Sequence, residues 1–562
     1  MYASLFGLLM VLLFTPSLQQ HLGLITTEPL EGFVSKTEMP QLNFEDYTSS
    51  KYQHQLESYL SENFGFREPV IRLYNQYLWT CYKKTYCHFI TPGKDGYLFY
   101  TEAVKDYYGI ESIELYRTYD RARQWARQNV RMMNKLHYVL HDYGVEFLCF
   151  MAPNKTQLYP EYLPYHKTIP PDAINTADYY DSLMTAIGFP HVEMTRWFQQ
   201  IKDTATFQLI PKHDTHWRYS AAYGYDSLFS YMNSLNDFGI PDIKVHGMKQ
   251  LDTMYREIDE KALNLIFDIP NDSPKYWPEI SVECDSNCRK PRVLFVGDSF
   301  INDFGTYLPW EEVLDNVEIW FYNETVIKNY KEKYPITHIN RLRSLLNADY
   351  VVWYSTGSQW PRCSYDFVEN ALLQLCVTDS LFDAQIPWVM DSLSNDSAFK
   401  VRHCTAMQTE HYADTLRKYA IKALKDNPEL IPGLNGEAMP TIRNTKAIAA
   451  AQHANAIAND KLWLKALEMK AYKTDQSLDQ LIDLEANNLI LGLPLMKQEI
   501  QIDTALIVQF EIEKLIDNWL NHPDVVKYLE NKAKEKDRTF EQVLQEDATW
   551  VINQQLNNGE LY

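Results

Sequence analysis

Two short stretches of the chain hold the residue types that acyl-transfer chemistry needs. They are His213-Asp214-Thr215-His216-Trp217 and Val293-Leu294-Phe295-Val296-Gly297-Asp298-Ser299-Phe300. A serine hydroxyl is a poor nucleophile until a base takes its proton, and that base needs a third group to fix its tautomer. Asp214 stands two residues before His216, a spacing that lets a carboxylate fold back onto the imidazole Nδ1 and leaves Nε2 for a distant serine. Gly297 permits a sharp turn where its strand ends. Ser299 then falls near a helix amino terminus, whose N–H groups can stabilise an oxyanion. Alone, each stretch reads more readily as a turn with a helix cap. Together in one α/β domain they predict Ser299 as nucleophile, His216 as general base and Asp214 as the carboxylate that orients it. For the oxyanion, the Ser299 N–H and the Asn154 side-chain amide are the candidate donors. Trp217 reads either as a face for a sugar ring or as a buried prop for His216. Lys155 and Arg362 carry no assigned role. No His or Cys set has the paired spacing of a metal site, so neither a metal nor a cofactor is expected.

The elements that must position these groups are strands of one sheet. Val145 to Met151, Arg292 to Val296 and Tyr350 to Tyr354 are continuous apolar runs, as in parallel strands buried on both faces. The segments between them are long enough for helices, which predicts an α/β domain with a parallel sheet. In such sheets chemistry gathers beyond the carboxyl ends of the strands, where Asn154, Ser299 and Ser355 fall. A long helical pattern spans 111 to 143 and ends at Gly144. Before it, SENFGFREPVIRLYNQYLW (61–79) has Val70, Leu73, Tyr74, Tyr77 and Leu78 at helical spacing, with Ser61 or Asn63 placed to cap.

The rest of the chain bounds its class. At 562 residues it is too long for one compact core. Its net charge of −21 and the lack of any long Lys/Arg block argue against a nucleic-acid partner. Residues 1–25 open with an apolar run (YASLFGLLMVLLF, 2–14) that reads as a signal peptide or a membrane anchor, although neither a cationic start nor a small-residue cleavage site accompanies it. Residues 26–90 read as a polar, proline-dotted stalk followed by a helix, and 91–405 as the catalytic domain. From 406 to 562 the chain turns helical and repeats itself, 460–490 aligning with 522–552. Ser477 and Thr539 each precede a Gln by three residues, a capping-box signature that makes both copies helix–turn–helix. The repeat suits either a docking element or packing alone. Cys81–Cys87 and Cys284–Cys288 are candidate local disulfides.

With Asp-Thr-His-Trp upstream and Gly-Asp-Ser-Phe downstream, roughly residues 90 to 380 resemble the AlgX/AlgJ family of SGNH-hydrolase-like polysaccharide O-acetyltransferases. The segment MAPNKTQLYPEYLP (151–164), with its Pro-x-Lys and Tyr-Pro-Glu elements, adds to the likeness. In ordinary SGNH hydrolases the serine motif comes first; here the order is reversed, as in the permuted domain of that family. The resemblance implies an SGNH-like (flavodoxin-like) parallel sheet flanked by helices, followed here by an all-α C-terminal region. It also implies acetyl transfer to a cell-envelope or exported polysaccharide through an acetyl-serine. The acceptor would be a polysaccharide, the donor would arrive through a membrane-bound O-acyltransferase, and the site would be periplasmic. A carbohydrate acetylesterase and a non-catalytic polysaccharide-binding scaffold are the alternatives.

Overall fold

The computed structural model describes residues 2–402 and 442–558, with isolated positions of 403–441; left out are 33–36, 165–167, 253–256, 271–273, 285–287, 378–379, 496–503 and single positions 237, 444, 475, 492, 494 and 537. The chain forms two compact units, one of residues 1–137, 146–334 and 350–366, the other of 138–145, 335–349 and 367–562. The expected boundary at 405/406 lies outside the described residues.

Eleven strands matter for the first unit and its sheets. They are β1 (Ile90–Pro92), β2 (Leu98–Tyr100), β3 (Glu146–Ala152), β4 (His191–Glu193), β5 (Asp242–Leu251), β6 (Lys275–Glu283), β7 (Arg292–Gly297), β8 (Asn316–Phe321), β9 (Thr325–Lys328), β10 (Glu332–Pro335) and β11 (Tyr350–Thr356). Seven make the main sheet, in the order β10-β9-β8-β7-β11-β3-β4. From β4 to β8 all neighbours are parallel. The three apolar runs of the sequence are its centre, β7-β11-β3, and every residue of β3 and β11 is buried. Burial on both faces explains why these strands are uniformly apolar rather than alternating. The fold is an SGNH-like α/β domain whose sheet is flanked by helices.

At one edge β9 runs antiparallel to β8, and β5 and β6 form a separate antiparallel hairpin. Neither is legible from the sequence, because β5 alternates polar and half-buried residues without a continuous apolar run. Ser61 and Asn63 do not cap the helix Arg67–Tyr82. They close the preceding helix Lys51–Asn63, where the Ser61 hydroxyl donates back to the Glu57 carbonyl at 2.6 Å. The 111–143 pattern breaks into Ile110–Tyr116 and Tyr119–His141 at Arg117, whose φ of 65° ends the first helix. The expected stalk is partly pinned down: Asn264 exchanges two hydrogen bonds with the Glu31 backbone, and Arg72 donates to the Pro29 carbonyl. Cys284 and Cys288 are joined, whereas Cys81 and Cys87 are free. Cys81 faces solvent on the last turn of its helix while Cys87 packs toward Trp79 and Ile90, so the two thiols serve different surroundings.

Among the described residues no helix is long and apolar enough to cross a membrane. The apolar N-terminal run does form a helix, Tyr2–Leu22, with Pro16 inside it.

The second unit contains the helical repeat. Its first copy is Lys461–Lys473 with Leu478–Leu491, its second Pro523–Lys536 with Phe540–Asn557. Both capping boxes close, Ser477 with Gln480 and Thr539 with Gln542. The matched positions Leu467/Leu529 and Ala486/Ala548 are buried in both copies. The repeat is therefore a repeat of core positions.

Candidate active site

The strand β7 delivers Ser299 by a turn that only glycine allows. At Gly297 a Cβ would sit 1.8 Å from the Tyr354 carbonyl oxygen of β11, so any side chain would force the two central strands apart. Asp298 then ties the turn to its neighbour. One of its carboxylate oxygens accepts from the Phe300 N–H (3.0 Å), capping the helical turn, and the other accepts from the Thr356 N–H (2.8 Å) and the Ser355 hydroxyl (3.2 Å). Ser299 is left half-buried beyond the end of the strand.

The structure brings Ser299 and His216 together across 83 residues of sequence, with Oγ and Nε2 2.8 Å apart. Asp214 Oδ1 accepts from both the His216 ring Nδ1 and the His216 backbone N–H, each at 2.9 Å. The three side chains thus form one line of hydrogen bonds, with His216 largely covered and Asp214 fully buried. This geometry fixes the tautomer: Nδ1 carries the proton given to Asp214, and Nε2 is the acceptor for the serine proton.

Two groups hold that line, Arg218, which the sequence reading did not name, and Lys155, to which it gave no role. Arg218 Nε donates to the other oxygen of Asp214 at 2.6 Å, its Nη2 pairs with the same oxygen, and its backbone N–H and Nη1 reach Asp303 at 2.9 and 3.4 Å. The Asp214/Arg218 pair is an acid and a base four residues apart, which was the available signal. What hid it is the conformation, since Arg218 sits at φ 50° outside any long helix. Lys155 is buried, and its ammonium lies 2.7–2.9 Å from four backbone carbonyls, those of Leu98, Pro211, Lys212 and Asp214. An ammonium has three N–H donors, so these bonds are shared. The side chain gathers the 211–214 loop onto β2.

Charge follows from these contacts. Burial opposes a charged Asp214, but Arg218 and the bonds from His216 outweigh it and hold the carboxyl below the usual carboxylate range. Burial likewise opposes an imidazolium at position 216, yet the Asp214 bond and charge, with Asp303 and Asp259, raise His216 well above an ordinary histidine. A general base must be neutral, so turnover of a small acetyl ester should rise with pH through a midpoint above the ordinary ~6.5. Asp214→Asn removes the carboxylate that stabilises the imidazolium and is expected to lower both that midpoint and the plateau rate. A pH series of kcat/KM on wild type and variant reads both, and a wild-type midpoint at or below the ordinary value contradicts the assignment.

Of the other expected site residues, Asn154 lies just past β3, buried, with Oδ1 accepting from the Thr156 N–H and hydroxyl. Its Nδ2 has no hydrogen-bond partner among the described residues, and a Cβ on Gly357 would approach it to 3.0 Å. Trp217 is fully buried against Phe150, Phe198, Tyr225 and Tyr354, so it offers no face to a sugar and the stacking reading is corrected; the ring packed on His216 is Phe300, at 4.9 Å between ring centroids. The Arg362 side chain lies outside the described residues. His213 belongs to its own buried pair, 2.9 Å from Glu260.

Sheet order and the Ser–His–Asp line define the class, an SGNH hydrolase-like domain. Within that class, residues 90–232 match the model of the family described as SGNH hydrolase-like domain, acetyltransferase AlgX. Asp214 and His216 fall inside the matched span and Ser299 beyond it. Among solved structures the chain is similar to the O-acetyltransferase domain of Pseudomonas putida AlgJ (15% identity, 48% of this chain and 92% of that one, TM-score 0.32). It is also similar to Pseudomonas aeruginosa AlgX (13% identity, 50% and 67%, TM-score 0.31). A third similar structure is Bacillus cereus PatB1 with a sulfonyl adduct (14% identity, 50% and 98%, TM-score 0.31). No curated protein matches the chain.

Proposed function

We propose that the protein is an O-acetyltransferase that places acetyl groups on a cell-envelope or exported polysaccharide through an acetyl-serine intermediate. The observation that carries this reading is the 2.8 Å contact between Ser299 Oγ and His216 Nε2, with Asp214 behind the imidazole. The match of residues 90–232 to an acetyltransferase family supports the acyl group and the class of reaction.

In the first half-reaction His216 takes the Ser299 proton as Oγ attacks the acetyl carbonyl carbon. The oxyanion of the tetrahedral intermediate is held by the Ser299 N–H and the unpartnered Asn154 amide. As the donor's leaving group departs, it takes the proton from His216. In the second, a sugar hydroxyl gives its proton to His216 and attacks the acetyl-serine; collapse releases the O-acetyl sugar and returns the proton to Ser299. Every group is used twice, and water competes with the sugar for the same acyl-enzyme. On this reading the protein works in the periplasm, its apolar N-terminal segment serving as signal peptide or anchor, and a membrane-bound O-acyltransferase supplies the donor.

The test is to give the full-length protein a chromogenic acetyl ester together with oligosaccharide acceptors and to analyse the sugars by mass spectrometry. Acetylated sugar that depends on His216 and Ser299 is the expected product. Acetate alone, with no acetylated sugar from any acceptor, would make the protein an acetylesterase of the same fold.

A further inference from the structure

An amphipathic surface helix turns its apolar residues inward and its polar ones to solvent. The helix Arg67–Tyr82 breaks that rule. Its inner side is anchored by Trp79, packed with Ile90, Leu98 and Leu263, and by Asn75, whose amide donates to the Leu263 carbonyl at 2.9 Å. Its outer side is apolar as well. Val70, Leu73, Tyr74 and Tyr77 recur at helical spacing, and Tyr86 and Phe267 stand beside them; all six are 50–76% exposed. Tyr74 and Tyr86 meet edge-on at 6.3 Å, and the Phe267 N–H is fixed to the Gln76 side chain at 2.9 Å. The patch is thus one ordered surface.

Along residues 66–89 the basic residues are Arg67, Arg72, Lys83 and Lys84 and the acid is Glu68, and Asp268 follows Phe267 on the segment beside the helix, which leaves a positive excess where the whole chain carries −21. Counter-ions screen charges beyond about 8 Å at physiological salt, so the local sign decides what approaches this helix. Tyrosines with an apolar ring and a polar tip, flanked by Lys and Arg, are the side chains that settle at the level of lipid headgroups. A second apolar surface adjoins. The helix Tyr2–Leu22 runs so close to Gly65 that a Cβ there would lie 2.1 Å from the Pro16 carbonyl, and it exposes Leu5, Phe6, Leu13 and Phe14.

We propose that the outer face of helix Arg67–Tyr82 is a membrane-docking surface that lies in the headgroup layer of an anionic bilayer. The face uses no residue of the Ser299 site, so its test is independent of the proposed acetyl transfer.

Nitroxide labels at Leu73→Cys and Tyr77→Cys, in the full chain with exposed Cys81 changed to Ser, read the contact directly, with Tyr528→Cys in the second unit as reference. Labelling of the Cys81→Ser parent gives the background, and circular dichroism confirms that each variant is folded. On adding phosphatidylcholine–phosphatidylglycerol vesicles, collisions with dissolved oxygen relative to an aqueous nickel chelate should rise severalfold at 73 and 77 and stay unchanged at 528. A smaller rise with pure phosphatidylcholine is expected, because the lysine and arginine attraction is lost. Unaltered nickel accessibility at 73 and 77 would overturn the proposal. So would shielding seen only in native membrane fractions and absent from protein-free vesicles, which would assign the face to a membrane protein.

Discussion

Ser299→Ala should leave the protein folded and reduce turnover of a small acetyl ester by about 10⁴-fold or more, the scale seen when a nucleophile that works as a unit with its base is removed. The substitution deletes one half-buried hydroxyl whose described partner is His216 Nε2, so its effect on stability should stay within about 1 kcal/mol. A serine-directed sulfonyl fluoride gives the complementary readout. Ser299 Oγ displaces fluoride, His216 takes the proton, and intact-mass measurement shows one added sulfonyl group on wild type and none on the variant. Turnover in Ser299→Ala equal to wild type would place the nucleophile elsewhere and withdraw the acetyl-serine mechanism.

Lys155→Met is expected to be the most damaging single change away from the reacting atoms. The methionine side chain is similar in length and fills the same apolar path, but four carbonyls, those of Leu98, Pro211, Lys212 and Asp214, lose their shared donor. Leaving a buried acceptor without its donor costs about 1–3 kcal/mol, and while the Lys212 and Pro211 carbonyls keep the Leu98 and Asp214 N–H groups, the Leu98 and Asp214 carbonyls lose their ammonium partner. Burial has drawn the ammonium down to about 7, with Asp259, Asp214 and Glu257 pulling the other way; the convergence of four acceptors still calls for the charged form. The loop that loses its anchor carries Asp214 and leads into His216. A displacement near 1 Å there would lower turnover by about 10²-fold even where the protein stays folded. Thermal unfolding followed by near-ultraviolet circular dichroism and ester turnover well below the transition separate the two effects. Wild-type values in both would mean that the carbonyls are satisfied without Lys155.

Much of this arrangement was already legible along the chain wherever the physics is local. A strand buried on both faces must be apolar throughout, so β3, β7 and β11 announced themselves. A carboxylate two residues from a histidine can reach it within one turn of backbone, and Asp214 does so. Ser477 and Thr539 needed only a Gln three residues on to close their caps. Trp217 shows where such reasoning stops. Its neighbours in sequence are site residues, but its burial depends on Phe150, Phe198, Tyr225 and Tyr354, which come from separate parts of the chain.

The sequence by itself determined the central strands and the Asp–His pair, because each is settled by side chains and backbone within a few residues; the need for glycine at 297 comes from the Tyr354 carbonyl of the neighbouring strand. Tertiary structure alone decided that Ser299 meets His216, that Lys155 binds the 211–214 loop, and that Arg218 and Asp303 close around Asp214. The Lys155, Ser299–His216 and Arg218–Asp303 contacts join segments separated by 56 to 85 residues, whereas Arg218 reaches Asp214 from four residues away. Ser299 and Lys155 follow the carboxyl ends of β7 and β3, and the loop carrying Asp214 and His216 comes from beyond β4 and its following helix to meet them, a placement set by the packing of the whole domain.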